Sequence, residues 1–144
     1  MTACLASAKS RTDIPLAPLP ARVANANKVF LVNGGDALAY DAAYAAFRQW
    51  PKYTLVDSSP DADLTVEIRV VLTDLPARHH VHVNGRELPD PPLMLVITDA
   101  ATHEQLWSAL ERRGRAIKQK NRDKETIDAA ERLVASLKAR VDVH

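Results

Sequence analysis

The chain has 144 residues, 47% of them apolar and 26% charged, with a formal net charge of +1. That length allows one domain with a core of its own, and the near-neutral charge argues against nucleic acid or an anionic membrane held by bulk electrostatics. No apolar run approaches the roughly 18 residues needed to span a bilayer, and a single cysteine, Cys4, excludes an intrachain disulfide.

The N-terminus reads MTACLASAKSRTD. Ala6-Ser7-Ala8 before Lys9 has the small-x-small form of a signal-peptidase site, although the apolar stretch that should precede it is missing. Cleavage after Ala8 and a periplasmic or secreted location are expected. A second reading makes Cys4 a lipid anchor after Thr2-Ala3, and a disordered cytosolic N-terminus is the third. Pro15, Pro18 and Pro20 then favour an extended spacer. Residues 1–27 are therefore expected to be a signal-peptide remnant and Pro-rich linker, and residues 28–144 a single α/β domain.

KVFLVNGG, residues 28–35, reads as a buried strand closed by a turn. Asp36 is placed to cap a helix over residues 37–50, with Tyr40, Ala43, Tyr44 and Phe47 on one face and Pro51 after its end. Residues 53–57 form a short strand. From Leu64 to Leu72 apolar and polar residues alternate, so one face is buried and the other is mostly wet. Asn84-Gly85 suggests a small two-residue hairpin, ended by Pro89, Pro91 and Pro92. LMLVIT, residues 93–98, is a strand. A turn at 99–104 follows, with Asp99 suited to bond its own backbone. QLWSALERR then resumes as a strand. From Asp123, a cap by residue type, an amphipathic helix carries Ile127, Ala130, Val134, Leu137 and Val141 as its stripe. The order β-α-β-β-β-β-α implies an α+β two-layer sandwich. Its sheet is mixed, mostly antiparallel, with four or five strands and two helices on one face.

Three stretches resemble a family of small exported bacterial proteins of unknown function, over roughly residues 20–142. They are KVFLVNGG with the following helix into RQWPKYTLVDSSPDADLTVEI, then LMLVITDAATHEQLW, then NRDKETIDAAERLVASLK. The resemblance implies a cleaved signal peptide. More distantly, the Asp-x-x-Thr hairpin ending in Leu-Trp and the Ala-Asp loop before a long strand resemble envelope lipoprotein domains. The curli-secretion lipoprotein and the N-terminal domain of the Tol translocation protein represent that class, whose domains dock and assemble rather than catalyse. The His-rich insertion at 78–92 has no counterpart in the family.

Asp99, His103 and Glu104 share a turn but have no oriented partner in the sequence, so turn formation outweighs catalysis. Trp107 is expected in the core. ARHHVHVNGRE is the sharpest chemical candidate. In a hairpin His80 and His82 share a face with Glu87 opposite, a possible zinc or copper set, though a wet hairpin is the commoner meaning. If it is a metal site, calorimetric titration of metal-free protein with zinc gives binding that His80→Ala with His82→Ala removes. RRGRAIKQKNRDK, residues 112–124, holds seven basic residues in 13. Arg112, Arg113, Arg115, Lys118 and Lys120 form a candidate docking surface for an envelope protein or anionic surface, against a simply solvated run. Asn33-Gly34-Gly35 lacks the spacing of a phosphate loop and reads as a turn that needs glycine. No cofactor and no catalysis are expected. The function expected is a non-enzymatic docking domain of the cell envelope.

Overall fold

The computed structural model describes residues 19–72, 91–114 and 118–143. Three helices occur there: α1 (Ala21–Asn25), α2 (Ala37–Arg48) and α3 (Gln119–Val143). Five strands accompany them: β1 (Lys28–Gly34), β2 (Thr54–Val56), β3 (Leu64–Val70), β4 (Leu93–Asp99) and β5 (Gln105–Glu111). They form one sheet in the order β2-β1-β3-β4-β5. The α+β sandwich expected from the sequence is present. Its sheet is mixed, since β1 runs parallel to both β2 and β3 while β3–β4 and β4–β5 are antiparallel.

The parallel half follows from α2. Parallel strands need a crossover, and α2 carries the chain from β1 to β2. β2 spans only three residues, so a turn at Ser59–Asp61 suffices to lead back past the start of β1. There the Asp63 N–H donates to the Lys28 carbonyl at 2.8 Å. The antiparallel half follows from the turn between β4 and β5, where Asp99 Oδ1 accepts from the N–H groups of Ala101 and Thr102 at 2.8 and 3.1 Å. His103 closes that turn in the left-handed region (φ 65°).

Alternation decides what each strand buries. Leu64, Val66 and Ile68 of β3 lie in the core, while Thr65, Glu67 and Arg69 face away. Val29 and Leu31 of β1, Leu93, Leu95 and Ile97 of β4, and Trp107 join the same core. Ala39, Ala43 and Phe47 of α2 cover it, with Ala129, Ala130, Leu133, Val134 and Leu137 of α3. Asp36 caps α2 as expected, accepting from Leu38 and Ala39 at 3.0 and 3.1 Å.

Four local expectations change. Residues 21–25 are helical rather than extended: Val23 is fully buried, and its carbonyl accepts from the Tyr53 hydroxyl at 2.7 Å. The Lys52 ammonium donates to the neighbouring Ala24 carbonyl. Second, α3 starts at Gln119, so Asp123 is inside the helix and accepts from the Gln119 side chain at 2.7 Å instead of capping. Third, the buried stripe of α3 is turned toward Thr126, Ala129 and Leu133, leaving Ile127 at its margin. Fourth, β3 stops at Val70 and Leu72 is 77% exposed. The expected Asn84-Gly85 hairpin lies outside the described residues.

The two glycines after β1 do different work. Gly35 has φ +126°, which side chains rarely adopt, so flexibility is its role. Gly34 is needed for space: a Cβ there would stand 2.6 Å from the Ile68 carbonyl oxygen and 2.8 Å from the Arg69 Cα. Both neighbours are backbone of the paired strand and cannot swing aside. Gly34→Ala should therefore cost about 1–3 kcal/mol, as overpacking does, read as a lower urea midpoint. An unchanged midpoint would mean that β1 and β3 separate freely at this point.

Candidate functional site

Arg113 follows β5 and comes from the run that the sequence marks as basic surface. It is 9% exposed. Its Nε donates to the Pro91 carbonyl at 2.7 Å, and its Nη1 to Asp36 Oδ2 and Thr126 Oγ1, each at 3.2 Å. One guanidinium thus joins the entry to β4, the cap of α2 and the second turn of α3. A planar fork with several fixed donors suits this task, and a lysine ammonium would not. Arg113 is consequently withdrawn from any docking surface. Its partner Asp36 serves twice, since one carboxylate oxygen caps α2 and the other meets Arg113.

Beside this arginine is a cavity of about 280 Å³. It is lined by Asp36, Leu38, Arg113, Gln119, Arg122, Asp123 and Thr126, so the first turns of α2 and α3 both border it. Arg112, Lys118 and Lys120, sequence neighbours of the lining residues Arg113 and Gln119, are exposed. The junction from β5 to α3 is tied by Glu125, which accepts from the Gly114 N–H at 3.0 Å. Arg132 adds a bond to Glu111 at 2.8 Å and one to the Arg112 carbonyl at 3.2 Å. Arg115 lies outside the described residues, as do His80, His82 and Glu87 of the expected metal set.

A second polar cluster sits at the opposite end of β3 and β4. Arg22 Nε donates to Asp99 Oδ2 at 2.9 Å, and its Nη2 to the Asp63 carbonyl at 3.2 Å. Asp63 Oδ2 accepts from the Asn27 and Lys28 N–H groups at 2.9 and 3.0 Å. The two aspartates that gave the sequence its resemblance, in the Ala-Asp loop and in the hairpin turn, are therefore joints of the fold. Arg22, chemically silent in the sequence, is what links them.

Arg22, followed by the Thr102 and Ala101 N–H groups, holds the Asp99 carboxyl down at about 2. The backbone N–H groups of Lys28 and Asn27 lower Asp63 as well. Both folded values lie below the ordinary carboxylate range. The stability that the Asp99 carboxylate adds is present above the unfolded value of about 4 and lost as pH falls toward 2, and Asp63 contributes in the same direction. The gap in melting temperature between the native chain and Asp99→Asn should then be widest near neutrality and shrink through that window. A gap constant with pH would show that the ionised carboxylate is not what matters.

No family model matches the chain, and no curated protein matches it. Solved structures do. PelC from Paraburkholderia phytofirmans, determined as a dodecamer, is 13% identical, with 85% of this chain and 94% of that chain covered at a TM-score of 0.53. A protein from Xanthomonas campestris, XCC0632, is 11% identical over 78% of this chain and 81% of its own, with a TM-score of 0.49. Lipoprotein B from Nitrosomonas europaea is 12% identical over 85% and 83%, with a TM-score of 0.38. The chain shares the fold of PelC.

Proposed function

We propose that this chain is a non-enzymatic, exported docking domain of the cell envelope, which engages an anionic surface through Arg112, Lys118 and Lys120, with Arg115 from the same run. The observation that carries the reading is the sorting of this run. Arg113 is drawn inside as a structural tie, whereas Arg112, Lys118 and Lys120 stay exposed beside it. Their charges stand on backbone that is held at both ends of the run. The fold shared with PelC and the lipoproteins among the structural neighbours support an envelope setting.

Co-sedimentation with phosphatidylcholine vesicles, with and without phosphatidylglycerol, tests this. Binding should require the anionic lipid and weaken with salt. Each basic residue near such a surface contributes about 1 kcal/mol. Arg112→Glu with Lys118→Glu and Lys120→Glu should therefore reduce binding by on the order of a hundredfold, with an unchanged circular-dichroism spectrum. Binding equal on both vesicle types, or surviving the triple reversal, would overturn the reading.

Self-assembly is a second reading, favoured by the dodecameric state of PelC. Within the described residues β5 is an edge strand with Leu110 46% exposed. A solution mass several times 15.8 kDa, reduced by Leu110→Lys, would support it. A mass of one chain would remove it.

A further inference from the structure

We infer that the end of the sheet where β4 begins is a lipid-insertion surface, at which Leu72 and Leu110 enter the headgroup region of an anionic phospholipid bilayer. This deepens the docking reading and rests on it, because it adds an apolar contact to the charges already assigned. Among the described residues three large apolar side chains are exposed: Leu72 at 77%, Leu110 at 46% and Val143 at 83%. Two of them stand at one end of the sheet. β3 and β5 both pair antiparallel with β4, so both finish where β4 begins. Leu110 pairs with Met94, and Met94 with Arg69. Leu72 follows Val71, whose N–H donates to the Pro92 carbonyl at 2.9 Å. Trp107 faces the core, so alternation places Leu110 on the other face of the sheet, away from α2 and α3. Val143 is different. It closes α3, whose 25 residues put about 37 Å between its two ends.

The charges at this end fit the same partner. Arg112 stands two residues after Leu110 and is exposed, as are Lys118 and Lys120 at the start of α3. That start belongs to the same end, because Gln119 and Arg113 line one cavity. Carboxylates here are held within the fold. Glu67 meets Arg69 at 2.6 Å, Asp36 meets Arg113 at 3.2 Å and Glu111 meets Arg132 at 2.8 Å. Asp123 accepts from Gln119, and Glu125 from the Gly114 N–H. Exposed cations beside exposed leucines are what a bilayer interface selects: apolar area and attraction to anionic lipid add together. Lysine and arginine stems lie along the acyl boundary while their heads stay among the headgroups. Two leucines are too small an apolar area for a stable protein interface, which buries about 800 Å² on each partner. A bilayer sets no such minimum, since each side chain enters it separately.

An environment-sensitive fluorophore tests the insertion. Cys4, the chain's only cysteine, is replaced as Cys4→Ser, and a nitrobenzoxadiazole probe is attached through Leu72→Cys, Leu110→Cys or Val143→Cys. Phosphatidylcholine vesicles containing phosphatidylglycerol should shift the emission to the blue at positions 72 and 110, and brominated lipid should quench both. The probe at position 143 should stay in water. Leu72→Ser and Leu110→Ser, in the otherwise native chain, should each weaken co-sedimentation by about tenfold with an unchanged circular-dichroism spectrum. Probes at 72 and 110 that remain in water while the vesicles bind overturn the insertion and leave docking by charge standing. A blue shift at 72 and 110 that survives the triple reversal of Arg112, Lys118 and Lys120 supports the insertion and overturns docking by charge. A solution mass above one chain that Leu110→Ser lowers, with no blue shift on vesicles, assigns the leucine to contact between copies and overturns the inference.

Discussion

Replacing Arg113 with Met should destabilise the protein by about 3–5 kcal/mol, the usual cost of removing one partner from a buried ion pair. For a domain of this size that lowers the melting temperature by on the order of 10 °C. The side chain removed meets Asp36, Thr126 and the Pro91 carbonyl, which lie on three separate parts of the chain. Methionine fills much of the volume but leaves those acceptors without their donor. Arg113→Lys should recover little, because one ammonium cannot reach acceptors that a planar fork spans. Asp36→Asn should cost less than Arg113→Met, since an amide oxygen still caps α2. A urea midpoint for Arg113→Met within the error of the native chain would refute the structural role, and would return Arg113 to the list of docking residues.

Phe47→Ala should have a comparable effect, about 3–5 kcal/mol. Phe47 is fully buried, with its ring centroid 6.1 Å from that of Trp50 and 6.3 Å from that of Tyr53. Trp50 and Tyr53 meet edge to face at 5.0 Å. The loss would spread, because Tyr53 carries the bond to the Val23 carbonyl that seats α1. Burial pushes the Tyr53 hydroxyl up to about 12, so it remains a donor at neutral pH. Phe47→Ala should therefore also expose α1, with limited trypsin digestion cutting after Arg22 sooner than in the native chain. Phe47→Leu, which refills most of the cavity, should restore much of the stability. Slow cleavage at Arg22 despite a lower midpoint would mean that α1 is held independently of the aromatic cluster.

Both variants bear on how the polar groups of this protein divide. Arg113, Asp36, Asp63, Asp99 and Arg22 are held by bonds within the fold. Arg112, Lys118 and Lys120 stay exposed beside them in the sequence. A charge reversal confined to Arg112, Lys118 and Lys120 thus separates docking from folding, whereas one that includes Arg113 would confound the two.

What the sequence determined by itself is whatever depends on near neighbours. The alternation from Leu64 to Ile68 assigns each side chain to a face, because strand geometry repeats every two residues. Asp36 could be named as a cap and Asp99 as a turn former because each bonds amides only two or three residues ahead. The aromatic and alanine face of α2 and the burial of Trp107 followed from periodicity and size. The tertiary structure decided the rest. Arg22 with Asp99, and Arg113 with Asp36, are pairs separated by 77 residues each, and no local pattern joins them. Arg113 looked solvated because its neighbours in the chain are basic. Only the meeting of the entry to β4, the cap of α2 and α3 at the end of β5 supplies the acceptors that let a charge be buried at all. The α1 helix was hidden for a related reason: five residues among prolines have little helical tendency of their own, and it is the aromatic cluster beneath Val23 that gives them a place to fold.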